Sequence, residues 1–126
     1  MTNNNTTMSS NDLKARLDAL AKKNGGPIDC NGSQYVIVDP NDKSIEDDND
    51  LDTTTVYQTA VRIGDTPDED NLLPVYHLAW IYDRDEFKRI TEKYQGDLGA
   101  SVDWTKPDRV EECKGRQYDL DTDRLI

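Results

Sequence analysis

Very little of the chemistry-bearing alphabet is present in this chain. Its 126 residues contain a single histidine, two cysteines and one phenylalanine. One histidine is too few for a histidine-based metal cluster. His77 also falls inside the apolar run 75–82, where the expected role is a packed sheet residue, and the chain offers no recognisable Ser-His-Asp pattern. Cys30 and Cys113 lie far apart and in no CxxC pairing, so zinc and thioredoxin-like chemistry find no support. Acidic neighbours disfavour both thiolates as nucleophiles: Asp29 beside Cys30, Glu111 and Glu112 beside Cys113. A disulfide between the two is left open by the sequence.

Phosphate-cradling loops of the GxxxxGK[ST] or GxGxxG kind are missing. No apolar run approaches bilayer length, and the first ten residues, MTNNNTTMSS, carry neither a basic n-region nor an apolar stretch. These features point to a cytoplasmic protein with reduced thiols. Basic residues do not interleave with aromatics as they do in nucleic-acid readers.

What the chain does have is acid. Asp and Glu number 26 against 15 Lys and Arg, giving a net charge of −11. Such a balance repels nucleic acid and anionic membranes and favours encounter with basic partners. The excess is concentrated: residues 39–70 hold 11 acidic groups and 2 basic ones. One cluster comprises Asp39, Asp42, Glu46, Asp47, Asp48, Asp50 and Asp52, and the other Asp65, Asp68, Glu69 and Asp70. A strand expected over 53–63 separates them, and at about 3.3 Å per residue it would hold them roughly 35 Å apart. No compact metal site can draw on both.

Calcium fails on pattern as well. Asp48, Asp50 and Asp52 occupy positions 1, 3 and 5 of an EF-hand count, but Thr53 stands where the turn needs Gly and Thr59 where a bidentate Glu belongs. Asp119, Asp121 and Asp123 repeat the spacing without enough chain beyond them to close a loop. No metal or cofactor is expected. Among so many acids nothing selects a catalytic pair for glycoside hydrolysis.

Local patterns predict a mixed fold. Residues 1–10 have nothing to bury and are expected to be disordered. Ser9 or Ser10 caps a helix with Leu13, Leu17 and Leu20 on one face, and Asn24-Gly25-Gly26-Pro27 ends it. Residues 34–38 read as a buried strand, 39–42 as a turn, 43–52 as a polar acidic loop and 53–63 as a half-exposed strand. A second acidic loop, 64–71, leads into a central strand at 75–82. Asp83 and Glu86 form a capping box for a helix burying Phe87, Ile90 and Tyr94, with Gly96 as its stop. A short strand at 100–104, a short helix over 105–114 and an edge strand or loose tail from Tyr118 complete the expectation. The fold class is α+β: one domain over 11–126, a small antiparallel sheet with helices packed on one face.

The function this points to is non-enzymatic. An acidic edge would meet a basic protein surface, that of a nucleic-acid-binding protein or nuclease, and block it as a DNA mimic. The candidate partner-binding residues are Glu46, Asp47, Asp48, Asp50, Asp52, Asp68, Glu69 and Asp70, acting by charge-assisted pairing with Arg and Lys. Size and charge match the setting of phage or mobile-element inhibitors of host defence, anti-CRISPR proteins among them. The alternatives are an immunity protein for a toxin, a small accessory enzyme with a cleft invisible in the sequence, a weak calcium-responsive module, or solvated acidic loops that keep a sheet edge from aggregating.

Overall fold

A computed structural model describes residues 8–126. The expected disordered tail therefore falls largely outside the described residues. Of its last three positions, Met8 donates its backbone N–H to Asn71 Oδ1 (2.7 Å), the Ser9 hydroxyl accepts from Asp12 N (3.2 Å), and Ser10 opens the first helix. That helix, α1, runs Ser10–Asn24. It ends where Gly25 adopts φ +102°, a left-handed conformation that a side chain would oppose.

Two short strands follow, β1 (Ile28–Cys30) and β2 (Ser33–Ile37). Asn31 and Gly32, both at positive φ, close them into a tight antiparallel hairpin. The remaining strands are β3 (Lys43–Asp48), β4 (Thr53–Arg62), β5 (Leu72–Asp83), β6 (Arg109–Asp119) and β7 (Arg124–Leu125). Helix α2 (Arg84–Lys93) and the single turn α3 (Leu98–Ser101) lie between β5 and β6. All pairings are antiparallel, in the order β1-β2-β4-β5-β6-β7. Strand β3 joins the same edge of β4 as β2. β2 pairs with the last three residues of β4, Ala60 to Arg62, and β3 with Thr53 to Gln58. The segment 39–42 is an excursion between two parts of one interrupted strand.

The fold is α+β with an antiparallel sheet, and its helices divide between the two faces rather than sharing one. Leu17 and Ala21 of α1 pack on Val36, Val61, Leu73, Val75 and Tyr118. On the other face Phe87 of α2, Leu98 of α3 and Val102 cover Tyr35, Ile37, Val56, Leu78 and Trp80. The alternation along β5 explains the division: Leu73 and Val75 point one way, Leu78 and Trp80 the other. Trp80 is fully buried and donates its indole N–H to the Asp103 carbonyl (2.9 Å).

Several local expectations are overturned: seven of the ten residues of β4 are buried where a half-exposed strand was expected over 53–63, and Tyr94, expected on the buried face of α2, is exposed. Residues 43–48 are strand β3, not loop. Its side chains are mostly exposed, so it shows no apolar alternation, and its register comes from β4. Residues 109–119 form strand β6 where a helix was expected over 105–114. Charged residues on an exposed strand resemble a helix surface in composition, and the ladder to β5 decides the matter. The expected strand at 100–104 gives way to α3, because the Asp97 carboxylate accepts from Ala100 N (3.3 Å) and caps a turn.

Candidate functional site

The first acidic cluster is built on β3 and the turn that joins it to β4. Alternation places Ser44, Glu46 and Asp48 on one face of β3 and Lys43, Ile45 and Asp47 on the other. The turn is fixed by its own side chains. Asp48 Oδ1 accepts from the backbone N–H of Asp50 (2.9 Å) and Leu51 (3.1 Å), and Asp52 sits at φ +57°. The Thr54 hydroxyl donates to Asp47 Oδ1 (2.7 Å). Arg84, the first residue of α2, then clamps the turn from outside. Its backbone N–H reaches the Asp52 carbonyl (3.0 Å), its guanidinium donates to Asn49 Oδ1 (2.8 Å), and Asp52 Oδ1 lies 3.6 Å away.

The register brings in acids that linear reading kept apart. Thr53 pairs with Asp48 on one side and Asp83 on the other, so the start of α2 abuts the turn. Asp83 caps α2 by accepting from Asp85 N (3.0 Å) and Glu86 N (3.2 Å). Glu46, Asp47, Asp48, Asp50, Asp52, Asp83, Asp85 and Glu86 thus share one end of the sheet, where Arg84 pairs with Asp52. Sequence reasoning assigned Asp83 and Glu86 to capping alone. Their meeting with the other cluster follows from the register at Thr53, and no local pattern signals it.

Beside this acidic pole the sheet face is open. Glu46, Asp48 and Asp50 wall a groove of about 480 Å³, with Thr53, Thr55, Tyr57 and Ile81 among its other lining residues. The Tyr57 ring lies 5.8 Å from the His77 ring, and Arg109 reaches the Tyr57 hydroxyl (3.3 Å). His77 is half-buried and pairs in register with Thr59 and Glu111. Both cysteines are free; burial, with Asp108 nearby, pushes the Cys30 thiol up and keeps it protonated. Among the described residues no group of three His, Cys, Asp or Glu side chains converges as metal ligands.

The second cluster lies at the other end of β4, a strand of ten residues and so about 33 Å long. The eight candidate residues therefore fall into two groups, 46–52 and 68–70. Asp68, Glu69 and Asp70 sit in the β4–β5 loop, with Asp68 Oδ1 accepting from Asp70 N (2.9 Å) and Leu72 N (3.0 Å). This end is more internally paired. Asp65 bridges Arg62 (2.8 Å) and accepts from the Tyr76 hydroxyl (2.9 Å), while Asp123 pairs with Arg16 (3.0 Å) and accepts from Tyr118. Burial, reinforced by Asp65, pushes the Tyr76 phenol up to about 12; Tyr118 is raised likewise by burial and by Asp123.

No helix among the described residues is long and apolar enough to cross a membrane. No family model, no curated protein and no solved structure matches the chain.

Proposed function

We propose that this chain is a non-enzymatic, cytoplasmic interaction protein whose acidic pole engages a basic surface of a nucleic-acid-handling protein and blocks it. The observation that carries this reading is the order of the carboxylates. Glu46, Asp47 and Asp48 project from a strand held to β4 over six register pairs, and Asp50 and Asp52 from a turn fixed at both ends. Fixed carboxylates do not have to be immobilised on binding, so less of their attraction for Arg and Lys is lost to ordering. A cationic groove built for phosphates can accept them in the same way.

Of the two clusters, the 46–52 pole is the contact in this reading, since Glu46, Asp48 and Asp50 border an open groove on the sheet face, none of the three in an ion pair with a described cation. Asp68, Glu69 and Asp70 extend the negative field and speed encounter. Affinity capture from host extract at low and at moderate salt tests the proposal. The expected result is a basic nucleic-acid-binding protein that is retained strongly and released as salt rises. Retention of nothing, or only of salt-insensitive partners, would return the acidic pole to solvated surface.

A further inference from the structure

On the face opposite the acidic groove, a second groove of about 440 Å³ opens between the 102–105 segment and the sheet. Ile28, Ile37, Val102 and Trp104 contribute its apolar lining. Most polar groups along it are spoken for. Asn24 donates to the Ile37 carbonyl (2.6 Å), the Asp103 carboxylate takes both the N–H (3.1 Å) and the hydroxyl (2.6 Å) of Thr105, and the Trp104 indole donates to Gly99 O (3.0 Å). Gln58 is the exception. It is 3% exposed, it lines the groove, and its Oε1 finds no partner among the described residues. A buried acceptor left unpaired costs free energy that a donor supplied from outside would recover. Directly opposite Gln58 in the β3–β4 register stands Lys43, whose ammonium lies 5.4 Å from the centre of the Trp104 ring and makes no ion pair with a described carboxylate.

An acceptor and a donor thus stand side by side on neighbouring strands, roughly 5 Å apart at the backbone, beside an indole ring. Their complement is a planar ring carrying an N–H next to a C=O. The N–H donates to Gln58 Oε1, the carbonyl accepts from Lys43 Nζ, and the ring lies against Trp104. We propose that this groove binds a nucleobase with a lactam edge, of the uracil or guanine type. The net charge of −11 disfavours a polyanion, so the ligand is the free base or nucleoside rather than a nucleic-acid strand.

Titration of the full-length protein, labelled with nitrogen-15, tests this with uridine, cytidine and 3-methyluridine as probes. Uridine is expected to move the Trp104 indole N–H and the Gln58 carboxamide signals in a saturable way. Cytidine lacks the ring N–H at that edge and 3-methyluridine has it blocked, so both are expected to bind at least tenfold more weakly. Gln58→Met should lose uridine by a similar factor while its melting temperature holds or rises, because the substitution removes an unpaired acceptor without leaving a void. Lys43→Met, at a half-buried position on the groove, should weaken uridine without affecting folding. Equal binding of the three nucleosides, unchanged uridine binding by Gln58→Met, or no movement of either signal up to about 10 mM uridine would overturn the proposal.

Discussion

Neutralising part of the acidic pole should stabilise the fold, and the register sets the size of the effect. Consider the triple variant Glu46→Gln, Asp47→Asn, Asp50→Asn. Asn at 47 keeps an acceptor for the Thr54 hydroxyl, and Asp48, which closes the turn, is untouched. Repulsion within 46–52 is present in the unfolded chain too and largely cancels. Folding adds the repulsion between that run and Asp83, Asp85 and Glu86, opposed by Arg84. Asp48 and Asp83 flank Thr53 on neighbouring strands, so their backbones lie two strand spacings apart, roughly 10 Å. Two unit charges at that separation in water repel by about 0.4 kcal/mol, and the long Debye length at about 10 mM salt leaves most of it. The three substitutions remove roughly nine such repulsions and three attractions to Arg84. After allowance for greater distances and screening at an exposed site, the net gain is on the order of 1 kcal/mol, or about 4 °C in melting temperature. Urea unfolding followed by tryptophan fluorescence, at about 10 mM and about 1 M salt, reads it directly. The gain should vanish at high salt, where the Debye length is about 3 Å. A variant less stable than the parent at low salt, or a gain that salt does not touch, would refute the convergence of these carboxylates.

Other consequences concern the scaffold. Trp80→Ala removes a fully buried indole and its bond to the Asp103 carbonyl, and is expected to cost about 3–5 kcal/mol in urea unfolding. Gly32→Ala, at φ +82° in the β1–β2 hairpin, should cost about 1 kcal/mol through backbone strain alone, since no atom lies within 4 Å of the new methyl group. Tyr76 and Tyr118 have phenols raised above the ordinary value of 10, so both favour the neutral form in the folded state. Their contribution is complete below pH 10 and is lost as pH rises from 10 through the raised values. An alkaline unfolding titration should show this loss, and Tyr76→Phe should flatten it between pH 10 and about 12.

The elements that were legible in the sequence are those whose side chains carry a pattern. The Leu13, Leu17, Leu20 stripe with its Ser9 cap and Gly25 stop marks α1, and Asp83 with Glu86 marks the start of α2. Strand β5 announces itself by its apolar run. Of the strands that went unread, β3 and most of β6 lie largely exposed, so neither burial nor alternation writes itself into their composition, and β1, though buried at Ile28 and Cys30, is three residues long, too short to show a period. The existence of β3 and β6 depends on β4 and β5, which is information held in long-range pairing. The same cause hid part of the candidate site. Glu46 to Asp52 stand out as a run, but their meeting with Asp83, Asp85 and Glu86 follows from the register at Thr53, which no local pattern encodes. The helices divide between two faces because β5 is apolar on both, a feature its sequence displays but which does not say which helix takes which side.

One binding experiment that compares the two acidic ends tests most directly whether the 46–52 pole is the contact. Association rates with the captured partner would be measured across a range of salt for Glu46→Lys, Asp47→Lys, Asp50→Lys and, separately, for Asp68→Lys, Glu69→Lys, Asp70→Lys. Reversal in 46–50 is expected to speed dissociation as well as slow association, whereas reversal in 68–70 is expected to slow association alone. Equal effects from both ends, or unchanged dissociation after reversal at Glu46, Asp47 and Asp50, would contradict that expectation.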